Sequence, residues 1–234
     1  LAGQAARQAA ARQERLAQAY PLEVPRIDVA TGRVDVAVQA DDGESAYVEL
    51  WTPPWGARHG WLIGSTGGGK SDAAATLLLS ACSAGVVVPH VVDLAGGVDL
   101  DWIKPYAGTY ETTPEGALKT LRTLTAVYEE RIEQMVGRHR VWPVGPGAPL
   151  HLLFIDEAPQ LVMDKDCMNL ALMAVRLWRK AGMSLWWSSQ MGQAEVAFGK
   201  SRGTAFRDQL TTGNVWVFHA GKESTSIAMG RHRV

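Results

Sequence analysis

Trp61-Leu62-Ile63-Gly64-Ser65-Thr66-Gly67-Gly68-Gly69-Lys70-Ser71-Asp72-Ala73-Ala74-Ala75-Thr76-Leu77-Leu78-Leu79 decides the fold. A short apolar run leads into a glycine-rich loop, and an Ala/Leu-rich helical stretch follows it. Gly64 to Ser71 fits G-x-x-x-x-G-K-[ST]. Glycines let the backbone wrap phosphates with its N–H groups, while the next helix presents its positive end. Lys70 is placed to reach the outer phosphates, and the Ser71 hydroxyl to ligate Mg²⁺. A glycine-rich turn can match the pattern without binding anything. Here a strand precedes the loop and a helix follows, as the mechanism requires. Gly64, Ser65, Thr66, Gly67, Gly68, Gly69, Lys70 and Ser71 are therefore the expected nucleotide-binding residues, with ATP and Mg²⁺ as cofactors.

Outward from this loop the rhythm continues as strand, helix, strand, helix. His90-Val91-Val92-Asp93-Leu94 reads as a buried strand, preceded by a helix from Ser71 to Ala84. Thr113 can N-cap a helix with Pro114 at its first position. Ala117, Leu118, Leu121, Leu124, Tyr128, Ile132 and Met135 then share one helical face. Leu150 to Ile155 is a strand, a helix is expected from Met168 to Lys180, and strands follow at Met183–Ser188 and Asn214–Phe218. Such alternation predicts an α/β fold with a mostly parallel sheet covered on both faces.

Residues 1–57 read as a small N-terminal appendage. An Ala/Gln/Arg-rich helix over 1–20 ends near Pro21, and Val34–Val38 and Ala46–Leu50 flank the turn signal Asp41-Asp42-Gly43 as a hairpin. The helix suits either a solvated linker or docking against a neighbouring subunit. Residues 58–234 form the main domain.

Leu152-Leu153-Phe154-Ile155-Asp156-Glu157 is the second signal. An apolar strand ending in two acids sets carboxylates at the carboxyl edge of the sheet, where open α/β folds bind ligands. Asp156 is expected to hold Mg²⁺, and Glu157 to polarise the attacking water, which makes the reaction hydrolysis rather than binding alone. The third signal is Ser184-Leu185-Trp186-Trp187-Ser188-Ser189-Gln190. A strand beside the glycine loop that ends in an amide can sense the γ-phosphate and position water. Met163-Asp164-Lys165-Asp166 lacks the Asn of a guanine-reading N-K-x-D element and follows no strand, so it reads as a charged surface turn. Trp186-Trp187 reads as packing, and Arg138-His139-Arg140 as an exposed helix end.

Composition bounds the rest. Across 234 residues, 47% are hydrophobic and 20% charged, which excludes disorder and mini-protein scaffolds. A formal net charge of −1 excludes coating nucleic acid by bulk positive charge, so any such contact must come from local basic loops. Cys82 and Cys167 lack metal-site spacing and suit a reducing, cytoplasmic compartment. Ala73 to Val92 carries no formal charge, but Gly85, Pro89 and His90 interrupt it. A buried helix running into a core strand explains it better than a membrane span. No secretory signal is visible. The chain begins at Leu1, and any membrane anchor is expected in segments outside it.

The order of these parts over roughly residues 58–230 resembles the FtsK/SpoIIIE group of DNA-pumping ATPases within the FtsK–HerA superfamily. The glycine loop matches the group's G-x-T-G-x-G-K-S, and Val91-Val92-Asp93-Leu94 is similar to its second strand and turn. Tyr128-Glu129-Glu130-Arg131-Ile132-Glu133-Gln134-Met135 is similar to its E-x-x-R-Y-like helix, and Phe154-Ile155-Asp156-Glu157 to its strand-DE element. Arg179-Lys180-Ala181-Gly182-Met183-Ser184-Leu185, ending at Gln190, matches its R-A-x-G-I-H-L…T-Q run. The Ala/Arg/Trp-rich composition is similar to that of actinobacterial conjugation translocases of the TraB type.

The resemblance implies a RecA-like P-loop NTPase of three layers, working as a homo-oligomeric, hexameric ring around double-stranded DNA. It sets Arg179 where the group has an arginine finger reaching a neighbour's γ-phosphate; the alternative is an arginine that snorkels from a helix end. Through the loops after the T-Q element it implies DNA-backbone contacts at Lys200, Arg202 and Arg207, with Lys222 after the last strand as another. The alternative there is a solvated segment between Met191 and Thr212 made mobile by its glycines. Two departures bear on that grip: the group's R-P after T-Q is Met191-Gly192 here, and its Arg near the last strand is replaced around Gly213-Asn214. The expected function is thus ATP-driven translocation of double-stranded DNA, in conjugative transfer or chromosome segregation. The rivals are a secretion ATPase of the EccC type, moving polypeptides, and a nucleotide-gated ring scaffold with little turnover.

Overall fold

A computed structural model describes residues 26–38, 45–200 and 203–218. The expected helix over 1–20, the turn at Asp41-Asp42-Gly43, and Arg202 and Lys222 lie outside the described residues. β1 (Ile27–Asp28), β2 (Arg33–Val38) and β3 (Ser45–Glu49) form a small antiparallel sheet. β4 (Trp51–Thr52) and β5 (Gly56–Ala57) form a two-stranded hairpin. The main sheet begins with β6 (Gly60–Gly64), and α1 (Lys70–Ser83) and β7 (Val87–Asp93) follow. Next come β8 (Thr109–Glu111), α2 (Pro114–Met135) and β9 (Leu150–Asp156). The described chain closes with α3 (Lys165–Leu177), β10 (Met183–Ser189), α4 (Ala194–Phe198), α5 (Gly203–Leu210) and β11 (Asn214–Phe218).

Six strands stand in the order β11-β6-β10-β9-β7-β8, and every neighbouring pair is parallel. Parallel strands must be covered on both faces, and the alternation of side chains along each strand does this. Leu152, Phe154 and Trp186 pack with Leu77 and Leu78 of α1. Leu153, Ile155 and Trp187 pack with α2, α3 and the Phe198–Phe206 pair. Trp186 and Trp187 therefore point to opposite faces, and both are core. Val34, Val48, Leu50 and Trp51 belong to the same apolar cluster as α1, so the small sheet extends the core on that face. The close approach of β6 to β10 demands Gly60, because a Cβ there would run into the Trp186 indole.

Helix starts follow their caps. Thr113 Oγ1 accepts from Gly116 N at 3.1 Å, with Pro114 at the first turn of α2. Asp164 caps α3, accepting from Asp166 N and Cys167 N at 2.9 Å, so the charged stretch read as a surface turn is a helix start. Three expectations are corrected. β8 was not anticipated, because Thr-Tyr-Glu carries no apolar alternation. The helix expected to reach Lys180 gives way after Leu177 to a 3₁₀ turn over Trp178–Ala181. Between Met191 and Thr212 the chain builds α4 and α5 instead of a mobile loop. Ala197, Phe198, Phe206 and Leu210 are buried in the core there, and Gly203 packs against the Ala194 carbonyl. Among the described residues, no helix is long and apolar enough to cross a membrane.

Candidate nucleotide-binding site

The carboxyl ends of β6, β7, β9 and β10 open onto a cleft of about 580 Å³ lined by the glycine loop, Asp156, Glu157 and Gln190. β10 lies between β6 and β9, so Gln190, just past its end, falls between the glycine loop and the acid pair. Gly69, at φ 97, caps α1 and lets the chain leave the loop directly into the helix. Gly67, also left-handed at φ 75, has open space where a Cβ would stand. Room therefore remains for a phosphate to approach the backbone.

Lys70 is 8% exposed and donates to the Gly64 carbonyl at 2.7 Å. Its Nζ also stands 4.0 Å from Glu157 Oε1. That same oxygen accepts from Gln190 Nε2 at 3.2 Å. Glu157 adopts φ 46, the one left-handed non-glycine among the described residues. Strain at such a position is characteristic of side chains aimed for a task, and here it brings the carboxylate to Lys70 and Gln190.

Asp156 ends β9 nearly buried, and Asp93 ends β7 beside it in register. Burial pushes the carboxyl of Asp156 above its ordinary range, countered in part by the Glu157 N–H, which donates to its Oδ1 at 3.0 Å. Burial likewise raises Asp93, and the neighbouring Asp156 adds to it. Asp93 accepts from Ala95 N at 3.0 Å and so shapes the loop after β7. Gln160 ties the turn after Glu157 to that loop, donating to the Leu94 carbonyl at 2.9 Å. Asp93, Asp99 and Gln160 were not among the expected site residues; a strand-end acid beside another gives the only sequence signal, at Asp93.

These groups fit ATP with Mg²⁺. A buried carboxylate and a serine hydroxyl are hard oxygen donors, and Mg²⁺ takes one or two such ligands with phosphates and water completing its shell. Asp156 and Ser71 both line the cleft. Among the described residues no cluster of three metal-binding side chains occurs, and such a shell does not require one.

The other expected residues lie elsewhere. Arg179 sits on the 3₁₀ turn before β10, at the amino edge of the sheet, roughly 20 Å of strand from its own cleft. Its Nε donates to the Ala57 carbonyl at 3.2 Å. Burial and then Arg58 lower its pKa. Lys200 is exposed. Arg207 has a side chain only 14% exposed, and its guanidinium is bound to Asp208 at 3.0 Å.

Solved structures share this architecture. Over 92% of this chain and 26% of the other, the cytoplasmic domain of the type VII secretion ATPase EccC from Thermomonospora curvata matches with a TM-score of 0.68 at 20% identity. The conjugation coupling protein TcpA of pCW3, solved with ATPγS, matches with a TM-score of 0.67 at 19% identity over 87% of this chain and 59% of that one. EssC from Geobacillus thermodenitrificans, ATPases 2 and 3, gives 0.68 at 14% identity over 92% and 42%. The chain shares the fold of these ATPase domains. It spans between about a quarter and three fifths of those chains. No family profile and no curated protein matches it.

Proposed function

We propose that this chain is the ATP-hydrolysing motor domain of a ring that moves double-stranded DNA. The observation carrying the hydrolytic part is the convergence of Lys70, Glu157 and Gln190 on one cleft edge, within 4.0 Å of a single carboxylate oxygen. Pure nucleotide binding needs neither Glu157 nor Gln190, which counts against a scaffold with little turnover. The glycine loop and Lys70 would hold the phosphates, and Ser71 and Asp156 would hold a Mg²⁺ whose charge would offset theirs. Glu157 takes the proton of the attacking water, and Gln190 orients both the carboxylate and that water. Arg179 cannot serve its own cleft across the sheet, which supports its action on a neighbouring copy and hence a ring.

The DNA part is supported by exposed Lys200 and by the basic residues Arg202 and Lys222 of the sequence. A polypeptide substrate is the second reading. It is favoured by Met163, Met191 and Val196, which are 89%, 50% and 46% exposed around the segments following Glu157 and Gln190, while Arg207 is engaged by Asp208. Steady-state ATP hydrolysis at low salt separates the two, measured alone, with linear duplex DNA, and with a tail peptide of a secreted substrate. Lys70→Ala serves as the blank. Stimulation by duplex that fades with salt is the expected result. Stimulation by peptide alone would replace DNA with polypeptide.

A further inference from the structure

Arg131 is a buried cation, only 5% exposed, in the C-terminal part of α2 beside the exposed acids Glu129, Glu130 and Glu133. A guanidinium taken out of water needs acceptors for its N–H groups. Here none is a carboxylate. One terminal nitrogen donates to the carbonyls of Ala181 at 2.8 Å and Gly182 at 2.9 Å. The other donates to Pro149 at 2.6 Å. The guanidinium carbon lies 4.3 Å from the centre of the Trp142 ring, a cation–π contact.

Two of these three acceptors lie on one short piece of chain. The Arg179 carbonyl accepts from Gly182 N at 3.2 Å, and the Lys180 carbonyl from Trp142 N at 2.7 Å. The Ala181 and Gly182 carbonyls go to Arg131, and the latter also accepts from His151 N at 3.1 Å. Every carbonyl from 179 to 182 is thus engaged. Gly182 is left-handed at φ 65, and a Cβ there would strike the Trp142 ring, so the turn is closed from that side too. On its other side it meets the β4–β5 hairpin, where Ala57 holds Arg179 Nε. Among the described residues the two terminal nitrogens of Arg179 have no protein acceptor.

We propose that Arg131, clamped against Trp142, is the positioning residue for Arg179: it fixes the turn from which that guanidinium is presented to the cleft of a second copy. Arg131 touches neither nucleotide nor the neighbour; it acts through the backbone of the turn. The inference rests on the reading of Arg179 as acting in trans.

Mixed assemblies test it, because the two halves of an interface can be broken separately. Donor subunits carry Lys70→Ala, a dead cleft with Arg179 intact. Recipient subunits carry Arg179→Ala, an intact cleft with no finger. Mixing the two is expected to restore ATP turnover well above either alone. No restoration would overturn the action of Arg179 in trans, and the inference with it. With restoration established, Arg131→Met is added to one partner at a time. Added to the donor it is expected to cut the restored rate at least tenfold; added to the recipient it is expected to leave the rate within about twofold. Arg131→Lys in the donor should recover only part of the loss, since an ammonium cannot span the carbonyls on both segments. Equal losses on both sides would show a merely structural role, and an unaffected donor would show none; either overturns the proposal. Should Arg131→Met fail to fold, Trp142→Leu, which keeps the backbone bond to Lys180, is read in the same two positions by the same criteria.

Discussion

The two edges of the central sheet bury different sets of titratable groups. At the carboxyl edge Asp93 and Asp156 are withdrawn from solvent and their carboxyls are raised. In the amino half, Arg131, His59, His90 and His151 are buried or nearly so, and the histidines are held neutral, His59 and His151 down to about 3 and His90 to about 4. The helices of a parallel α/β unit run opposite to its strands. Their N-termini thus collect at the carboxyl edge and their C-termini at the amino edge, favouring anions at the first and cations at the second. One edge is an open cleft lined by charged and polar groups. At the other, the carbonyls of residues 179 to 182 are all bonded, and half-buried Arg179 donates to the Ala57 carbonyl. On the proposed reading the difference suits a head-to-tail ring, since a heterologous contact joins unlike surfaces.

Breaking the carboxyl edge at its centre should have the largest effect. Glu157→Gln keeps the volume and the contact with Gln190 but cannot accept a proton. Turnover should fall by about 10²–10⁴ while ATP binding persists, as measured by hydrolysis beside equilibrium binding. Unchanged turnover would remove Glu157 as the base.

Acid should break the amino half. A histidine held neutral in the fold but free to charge when unfolded gives the unfolded state more bound protons, so stability rises with pH in that window. His59, His90 and His151 contribute fully above about 6.5 and lose their contribution as pH falls toward about 3–4. The loss is about 1.4 kcal/mol per pH unit for each. Urea midpoints between pH 7 and 5 would show it, and His59→Gln should flatten the slope. A slope that His59→Gln leaves unchanged would deny the burial of that ring.

Gly60→Ala strains the point where β6 passes Trp186 and should lower stability by about 1–3 kcal/mol in thermal melts. Asp164→Ala removes the α3 cap at the carboxyl edge and should cost about 1 kcal/mol by the same measurement. Trp55→Ala, on a side chain 66% exposed, should change it by less than about 0.5 kcal/mol.

The carboxyl edge was legible because its groups are ordered by chain position. A glycine loop between strand and helix, a strand ending in Asp-Glu, and a strand ending in Gln each announce themselves locally, and parallel topology brings their ends together. The amino edge was not, since its partners are backbone carbonyls scattered over the sequence. In the sequence Arg131 is marked only as part of a segment similar to the E-x-x-R-Y-like helix, yet it lies three residues from Tyr128 and four from Met135, on the buried stripe of α2. Spacing, rather than residue type, carried that signal. α4 and α5 were missed for another reason: helices this short declare themselves only when Phe198 and Phe206 meet in the core.

Whether the two edges work together is tested most directly by turnover per subunit against protein concentration. An arginine supplied by a neighbour acts only when subunits meet, so the rate per subunit should rise with concentration and then level, and Arg179→Ala should stay low throughout. A rate per subunit that is already high at the lowest concentration and constant over a wide range would contradict a cleft completed from the opposite edge of another copy.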